Sequence, residues 1–148
     1  MTILFSTALA AQVLGTSGLK GALPSFFIDY FAGPVPTSAD ADATTGTILL
    51  GTISVGGDGL TGLSFGDATG GGVSKDPSQV WSGTNIASGT PSFYRLRVQG
   101  DTNQASTTAL RVQGSAGPTG DLLTTQTIAV GDPQSIDVFN LSLPVAVG

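Results

Sequence analysis

A five-residue motif of alternating apolar and polar residues occurs twice in the second half of the chain. It reads Leu-Arg-Val-Gln-Gly at residues 96–100 and again at residues 110–114. Strict alternation of this kind is the period of a half-buried β-strand. The residues between the two copies, 101–107, are polar and rich in turn formers. The repeat therefore predicts an antiparallel hairpin.

The repeat also predicts the register of this hairpin. Antiparallel pairing of the two copies places Leu96 opposite Val112 and Val98 opposite Leu110. One face of the hairpin would then be apolar, because side chains two residues apart along a strand point the same way. The residues of that face are Tyr94, Leu96, Val98, Leu110 and Val112.

The opposite face of the hairpin would be cationic, since it carries Arg95, Arg97 and Arg111, three of the five basic residues. The same register sets Arg97 opposite Arg111, a like-charge pair that costs free energy unless an acid lies nearby. Two interpretations remain open. The arginines pair with aspartates of the same sheet, or they bind an acidic patch on a partner, to which the guanidinium offers bidentate hydrogen bonds.

The amino-terminal residues predict the one clear helix of the chain, a helix or arm over residues 1–15. Ser6 is a good N-cap, and Gly15 suits a left-handed C-cap. An apolar side of this helix would consist of Leu9, Val13 and Leu14. A helix that precedes a β-rich body is expected to cover a sheet edge or to dock on a neighbouring subunit.

Short β-forming segments separated by turns make up the rest of the chain. Besides the hairpin they are residues 25–31, 47–55, 60–65, 121–128 and 134–143. Their number and spacing predict an all-β fold, a two-sheet β-sandwich or jelly-roll-like domain with a short N-terminal helix. At 148 residues the chain is expected to form a single domain, with residues 25–144 as the sandwich body.

The composition limits the classes of function. The net charge is −5, which argues against nucleic-acid binding, and no apolar run is long enough to cross a membrane. Charged residues make up 10% of the chain, against roughly 25% in typical proteins. So few charges favour a protein that lives packed against other copies or other proteins.

Catalysis is not expected, because the chain has no His and no Cys for acid–base or nucleophilic chemistry. All ten acidic residues are Asp, mostly in turn contexts where Asp binds its own backbone. Asp40 and Asp42, with Asp58 or Asp76, remain a minor alternative as a calcium site, although they lack the spacing of a known calcium loop. We therefore expect no cofactor and no catalytic residue.

Several segments, taken in order, resemble a group of small virion proteins of tailed bacteriophages found among head and neck structural genes. The segments are residues 5–9, an aromatic strand ending near Gly33-Pro34, and residues 39–49, 81–83, 88–95, 111–117, 120–122, 128–131 and 136–144. The resemblance spans nearly the whole chain. It implies a non-enzymatic structural role in the phage particle, as a decoration (cement) protein on the outer surface of the head.

The resemblance also implies partners. They are the major capsid protein or other virion proteins, and further copies of this chain. The residues expected to contact them are Leu4, Phe5, Leu9, Val13, Arg95, Arg97 and Arg111. Two alternatives stay open. A tail or neck component or fibre-type adhesin would expose aromatic loops near Trp81, and a carbohydrate-binding or Asp-based hydrolase domain would need a cleft with paired carboxylates.

Overall fold

The computed structural model describes residues 3–15 and 18–142 of the chain. The helices in these residues are α1 (Thr7–Leu14) and α2 (Gly18–Ala22). The strands are β1 (Leu4–Phe5), β2 (Phe27–Ala32), β3 (Ile48–Val55), β4 (Gly72–Ser74), β5 (Trp81–Thr84), β6 (Phe93–Arg97), β7 (Arg111–Gly117), β8 (Leu122–Leu123), β9 (Pro133–Ile136) and β10 (Asn140–Ser142). The prediction of a chain that is mostly β is confirmed.

Most of the strands belong to one large sheet. Its strand order is β1-β7-β6-β2-β3-β5-β9, with antiparallel pairing throughout, and β8 pairs with β7 in parallel. A two-stranded ribbon of β4 and β10 is separate from this sheet. The repeat hairpin, β6 and β7, lies between β1 at the sheet edge and β2 near its centre.

The register predicted from the repeat is confirmed. Strands β6 and β7 pair with Leu96 opposite Val112 and Arg97 opposite Arg111. Every side chain of the predicted apolar face is buried in the main core or packs against it: Tyr94, Leu96, Val98, Leu110 and Val112. We call this side of the large sheet the inner face and the side that carries the arginines the outer face.

Two glycines shape the middle of the inner face, because a tyrosine ring lies over each of them. Gly51 is the cross-strand neighbour of Tyr30, and Gly114 is the cross-strand neighbour of Tyr94. A Cβ on Gly51 would lie 2.2 Å from Tyr30 Oη, and a Cβ on Gly114 would lie 2.6 Å from Tyr94 Cε1. Since Tyr30 also lies opposite Tyr94, these residues form one row across four strands. The glycines leave the space that the rings fill.

An aromatic cluster joins the ribbon to the large sheet. Phe139, next to β10, has its ring centroid 5.8 Å from that of Trp81 and 5.7 Å from that of Tyr94. Trp81 is 1% exposed, and its indole N–H donates to Gln79 Oε1 at 3.0 Å. Trp81 is therefore a residue of the core.

The amino-terminal helix is shorter than predicted. Residues 4 and 5 form β1, which pairs with β7, and α1 begins at Thr7 with Ser6 as the N-cap. Gly15 follows α1 with φ of −87°, so the left-handed cap expected there is wrong. Residues 1 and 2 lie outside the described residues. Neither described helix is long and apolar enough to span a bilayer.

Four segments differ from the sequence prediction. Residues 18–22, between the predicted helix and the first predicted strand, form α2. Residues 60–65 form single bridges at Leu63 and Phe65 rather than a strand. The strand predicted over residues 121–128 is reduced to β8, with a single bridge at Ile128. The strand predicted over residues 134–143 is divided, because β9 pairs with β5 in the large sheet and β10 pairs with β4 in the ribbon. Leu143 and Pro144 lie outside the described residues. The apolar alternation shifts by one residue between the two pieces, from Ile136 and Val138 to Phe139 and Leu141, where the chain passes from one sheet to the other.

Candidate functional site

The outer face of the hairpin is cationic, as predicted, but it is covered. Two stretches without regular structure lie over it: the polar loop (residues 33–47) and the hairpin loop (residues 98–110). Arg95 is 0% exposed and Arg111 is 1% exposed. We refer to the three arginines of this face and the groups that bind them as the arginine network.

Arg95 is bound by oxygen atoms that carry no formal charge. Its Nη1 donates to Ala41 O at 2.9 Å and to Asn103 O at 3.3 Å. Its Nη2 donates to Gln113 Oε1 at 2.6 Å and to Ser38 O at 3.3 Å. Burial lowers the pKa of Arg95 to about 10, and the nearby charge of Arg111 acts in the same direction. The side chain is therefore still cationic at neutral pH, and it ties both loops to the sheet.

Arg111 forms a buried bidentate ion pair with Asp101 of the hairpin loop. The Nε and Nη2 atoms donate to the two carboxylate oxygens at 2.7 and 2.6 Å. Further bonds run from Nη1 to Ala39 O at 3.1 Å and from Nη2 to Gln104 O at 2.7 Å. Burial by itself raises the pKa of Asp101, but hydrogen bonds from Arg111 and from the Asn103 N–H outweigh it and lower that pKa.

Arg97 pairs with a different acid, Asp29 of β2. Its Nε donates to Asp29 Oδ2 at 2.5 Å, and Asp29 also accepts hydrogen bonds from Thr52 Oγ1 and Asn103 Nδ2, each at 2.7 Å. Asn103 has φ of +62°, a left-handed conformation that Asn tolerates better than most residues. The like-charge pair of Arg97 and Arg111 is thus relieved by two acids, one for each arginine.

Of the two interpretations left open by the sequence, pairing within the chain is the one that the structure shows for Arg97 and Arg111. Arg95 and Arg111 have no exposed surface with which to touch a partner, and their burial argues against a direct partner contact in this conformation. The side chain of Arg97 is 18% exposed at the rim of the network. For Arg97, contact with a partner stays a prediction.

The amino-terminal segment is joined to the same part of the molecule through Ser6. The Ser6 hydroxyl donates to Ala109 O at 2.7 Å and accepts from the N–H groups of Arg111 and Leu9 at 2.9 and 3.3 Å. The Asp40 carboxylate accepts hydrogen bonds from both the N–H and the hydroxyl of Thr7, which lower the pKa of Asp40. These bonds fix the start of α1 to the hairpin and to the polar loop.

The predicted contact residues of this segment fall into two groups. Leu9 is 0% exposed and packs in the core, so it has no surface to offer a partner. Leu4, Phe5 and Val13 are partly exposed, and contact with a partner stays a prediction for them. Leu14 is 87% exposed, although the helical pattern assigns it to the apolar side. Its exposure was missed because α1 ends at this residue.

The aspartates considered for calcium accept hydrogen bonds from neighbouring residues. Asp42 accepts from Thr44 N and Oγ1 and from Thr45 Oγ1, and these bonds lower its pKa to about 2. Asp58 and Asp76 likewise accept bonds within their own turns. In the described residues no group of three or more potential metal ligands comes together.

A cavity of about 360 Å³ lies between α2 and the glycine-rich loop that precedes and enters β4. It is lined by Gly18, Leu19, Lys20, Gly21, Ala68, Gly71, Gly72 and Val73. Among the described residues the lining contains no carboxylate, so this part of the cavity does not have the paired acids of a hydrolase site. Lys20 is the one charged residue among the described lining residues, and it pairs with Asp67 at 2.7 Å.

Comparison of the chain with protein-family models, with curated proteins and with solved structures found no significant match.

Proposed function

We propose that this protein is a non-enzymatic structural component of a tailed-bacteriophage particle, a decoration (cement) protein that binds the major capsid protein on the outer surface of the head. We also infer that the large sheet and the ribbon are the two layers of a sandwich, since Phe139 beside the ribbon packs on Trp81 of the sheet. The resemblance of the ordered segments to phage virion proteins is the starting point of both proposals.

The observation that carries the functional proposal is the character of the exposed surface. Three of the five basic residues lie in the arginine network, and the large hydrophobic side chains that are exposed in the described part of the chain are all aliphatic. They are Leu14, Val35, Ile48, Leu60, Val80, Ile86, Val130 and Val138. A surface with few charges and many small apolar contacts is suited to several modest interfaces in a protein shell.

The arginine network also supports a role as a decoration protein, because it holds the polar loop in place before a partner binds. Binding costs conformational entropy whenever loops become ordered at the interface. Here the polar loop is already held by Arg95 and Arg111 through carbonyl oxygens of Ser38, Ala39 and Ala41. A decoration protein of this kind would stabilise the shell by linkage, because it binds the assembled lattice and not free subunits.

The burial of aromatic residues favours this proposal over the two alternatives. Nine of the ten aromatic side chains are buried, and the tenth, Phe5, is partly buried. A fibre-type adhesin or a sugar-binding domain would present aromatic rings at its surface. Trp81, around which such loops were expected, lies inside the core.

The experiment that tests the proposal is co-sedimentation of the purified protein with phage heads assembled without it. We expect saturable binding at a copy number near that of the capsomers, together with a higher temperature of shell disruption. Binding at only a few copies per head would assign the protein to the neck or tail instead. Absence of binding would refute the proposal for the head and for the capsid partner alike.

A matched pair of variants tests the expected contact through the amino-terminal segment. Leu4→Thr changes a partly exposed residue of β1 and keeps a residue type that suits a strand. Leu49→Thr makes the same exchange at a partly exposed position of β3, outside the exposed apolar set, and serves as the control. We expect Leu4→Thr to weaken head binding and Leu49→Thr to leave it unchanged.

A further inference from the structure

The cavity beside α2 has the properties of a socket for an apolar side chain. Apart from Lys20, its lining consists of glycine, alanine and aliphatic residues, and nothing from the described chain fills it. A volume of about 360 Å³ is at the small end of the range for ligand pockets. The glycines keep this space open, since four of the eight lining residues have no side chain.

An exposed apolar side chain lies close to this cavity in the sequence. Leu14, the last residue of α1, is 87% exposed, and Gly18 at the cavity wall follows four residues later. Four residues of fully extended chain span at most about 14 Å, so Leu14 and the cavity lie on neighbouring parts of the surface. The high exposure of Leu14 shows that it does not enter the cavity of its own chain.

We propose that the cavity receives Leu14 of a second copy of this chain, in a two-fold symmetric dimer. In such a dimer Leu14 of each copy enters the cavity of the other copy, because Leu14 and the cavity belong to one surface patch of each chain. Each Leu14 then leaves water, and each cavity is filled. This interface is isologous, so it closes at two copies and does not propagate.

The charges at the cavity fit contact between two identical patches. Lys20 and Asp67 form a salt bridge at the cavity, with side chains 48% and 95% exposed. Each patch therefore carries one positive and one negative group that balance, so two copies related by a two-fold axis meet without like-charge repulsion. A second copy fits the patch in apolar shape and is not repelled by its charge. The inference rests on Leu14 and the cavity and is independent of the proposed role in a phage head.

The test is the molar mass of the free protein by sedimentation equilibrium, over a range of concentrations from low micromolar to several hundred micromolar. We expect a dimer of twice the 14.7 kDa chain mass that dissociates on dilution. Leu14→Asp, which places a charge in the socket, and Ala68→Trp, which fills the socket from its wall, should each raise the dissociation constant about tenfold or more.

Leu60→Asp is the control for Leu14→Asp, because Leu60 is 78% exposed in a loop that does not line the cavity. Far-ultraviolet circular dichroism establishes that each variant is folded. A protein that stays monomeric at every concentration would overturn the proposal. So would a dimer that survives both socket variants, or one that Leu60→Asp dissociates equally.

The chain has no cysteine, so a disulfide can report the contact directly. Mixing the Leu14→Cys variant with the Ala68→Cys variant under mild oxidation should give a covalent heterodimer. The same mixture of Leu60→Cys with Ala68→Cys provides the matched control and should give far less. Equal yields in the two mixtures would contradict the proposed contact.

Discussion

The two faces of the β6–β7 hairpin are both buried, but by different means. The inner face is covered by apolar side chains from strands, ribbon and helices, and it contributes Leu96 and Val112 to the main core. The outer face is covered by the polar loop and the hairpin loop, which supply mainly backbone carbonyl oxygens and the Asp101 carboxylate. The same two strands therefore lie between the apolar core and a layer that is polar around the arginines, with one small apolar cluster where Phe93 packs against Phe31 and Ala43.

The difference between the faces shows what an arginine cluster on a strand can mean. Guanidinium groups are suited to binding several oxygen atoms in one plane, and Arg95 and Arg111 each bind four. Here they bind irregular loops to the sheet, and these loops also make hydrogen bonds of their own, such as those from Thr44 and Thr45 to Asp42. The cationic face acts as the second half of the fold rather than as an exposed docking surface.

The largest expected effect comes from removing the ion pair of Arg111 and Asp101 on the outer face. Arg111→Ala leaves the buried Asp101 carboxylate unpaired, and we expect a loss of about 3–5 kcal/mol in the free energy of unfolding. Leu96→Ala on the inner face should cost about 2–5 kcal/mol through a cavity. Urea denaturation at pH 7 measures both. A loss below about 1 kcal/mol for Arg111→Ala would mean that the outer face is not a buried part of the fold.

Asp101→Asn measures the contribution of the carboxylate charge alone, because it keeps the shape of the side chain and removes its charge. We expect a loss of about 1.5–3 kcal/mol at pH 7. The pKa of Asp101 is lowered in the folded protein. The ion pair therefore contributes its full stabilisation above about pH 4, the pKa of an aspartate in the unfolded chain. This stabilisation is lost as the pH falls through the lowered pKa of the folded state. The variant should therefore differ less from the wild type at pH 3 than at pH 7. An equal difference at both pH values would contradict the ion pair.

The two tyrosines of the inner face allow a matched test of polar groups in the apolar core. Tyr30 Oη donates to Asn85 Oδ1, whereas Tyr94 Oη has no hydrogen-bond partner among the described residues. Tyr30→Phe should therefore cost about 1–2 kcal/mol, and Tyr94→Phe should be neutral or stabilising. Thermal and urea unfolding of the two variants check this. Equal losses would show that the two hydroxyl groups have similar environments.

The smallest expected effect is at the junction of the hairpin with the amino-terminal segment. Ser6→Ala removes the N-cap of α1 and the acceptor for the Arg111 N–H, and we expect a loss of about 1 kcal/mol. Ser6→Thr is the control, since it keeps the hydroxyl. Hydrogen exchange of the α1 amides should accelerate in the alanine variant alone.

The sequence predicts the inner face well, because its signal is local. Period-two alternation around Leu96 and Val112 defines both the strands and their register, and Trp81 follows the general tendency of large apolar groups to be buried. The change of sheet between Ile136 and Asn140 has a weaker signal, a one-residue shift of the alternation between Val138 and Phe139. Such a shift marks an irregularity in the predicted strand, but it does not identify the strand with which each piece pairs.

The arginine network could be predicted only in part. The sequence places Arg95, Arg97 and Arg111 on one face and requires an acid near the like-charge pair, but it does not identify Asp29 and Asp101. It also gives no sign that the polar loop closes over the face. Most of the groups that bind the arginine side chains are backbone carbonyls. Every residue has one, so composition and residue spacing cannot predict which carbonyls bind.

The most direct test of this account is native-state hydrogen exchange at two amides of the covering loops. Ala43 N–H donates to Asn103 O, and Ser106 N–H donates to Asp40 O, each at 2.9 Å. If the loops are a fixed layer over the arginines, both amides should exchange as slowly as strand amides of β6, despite lying outside helices and strands. Exchange near the rate of an unstructured peptide would contradict the account and leave the arginines accessible to a partner.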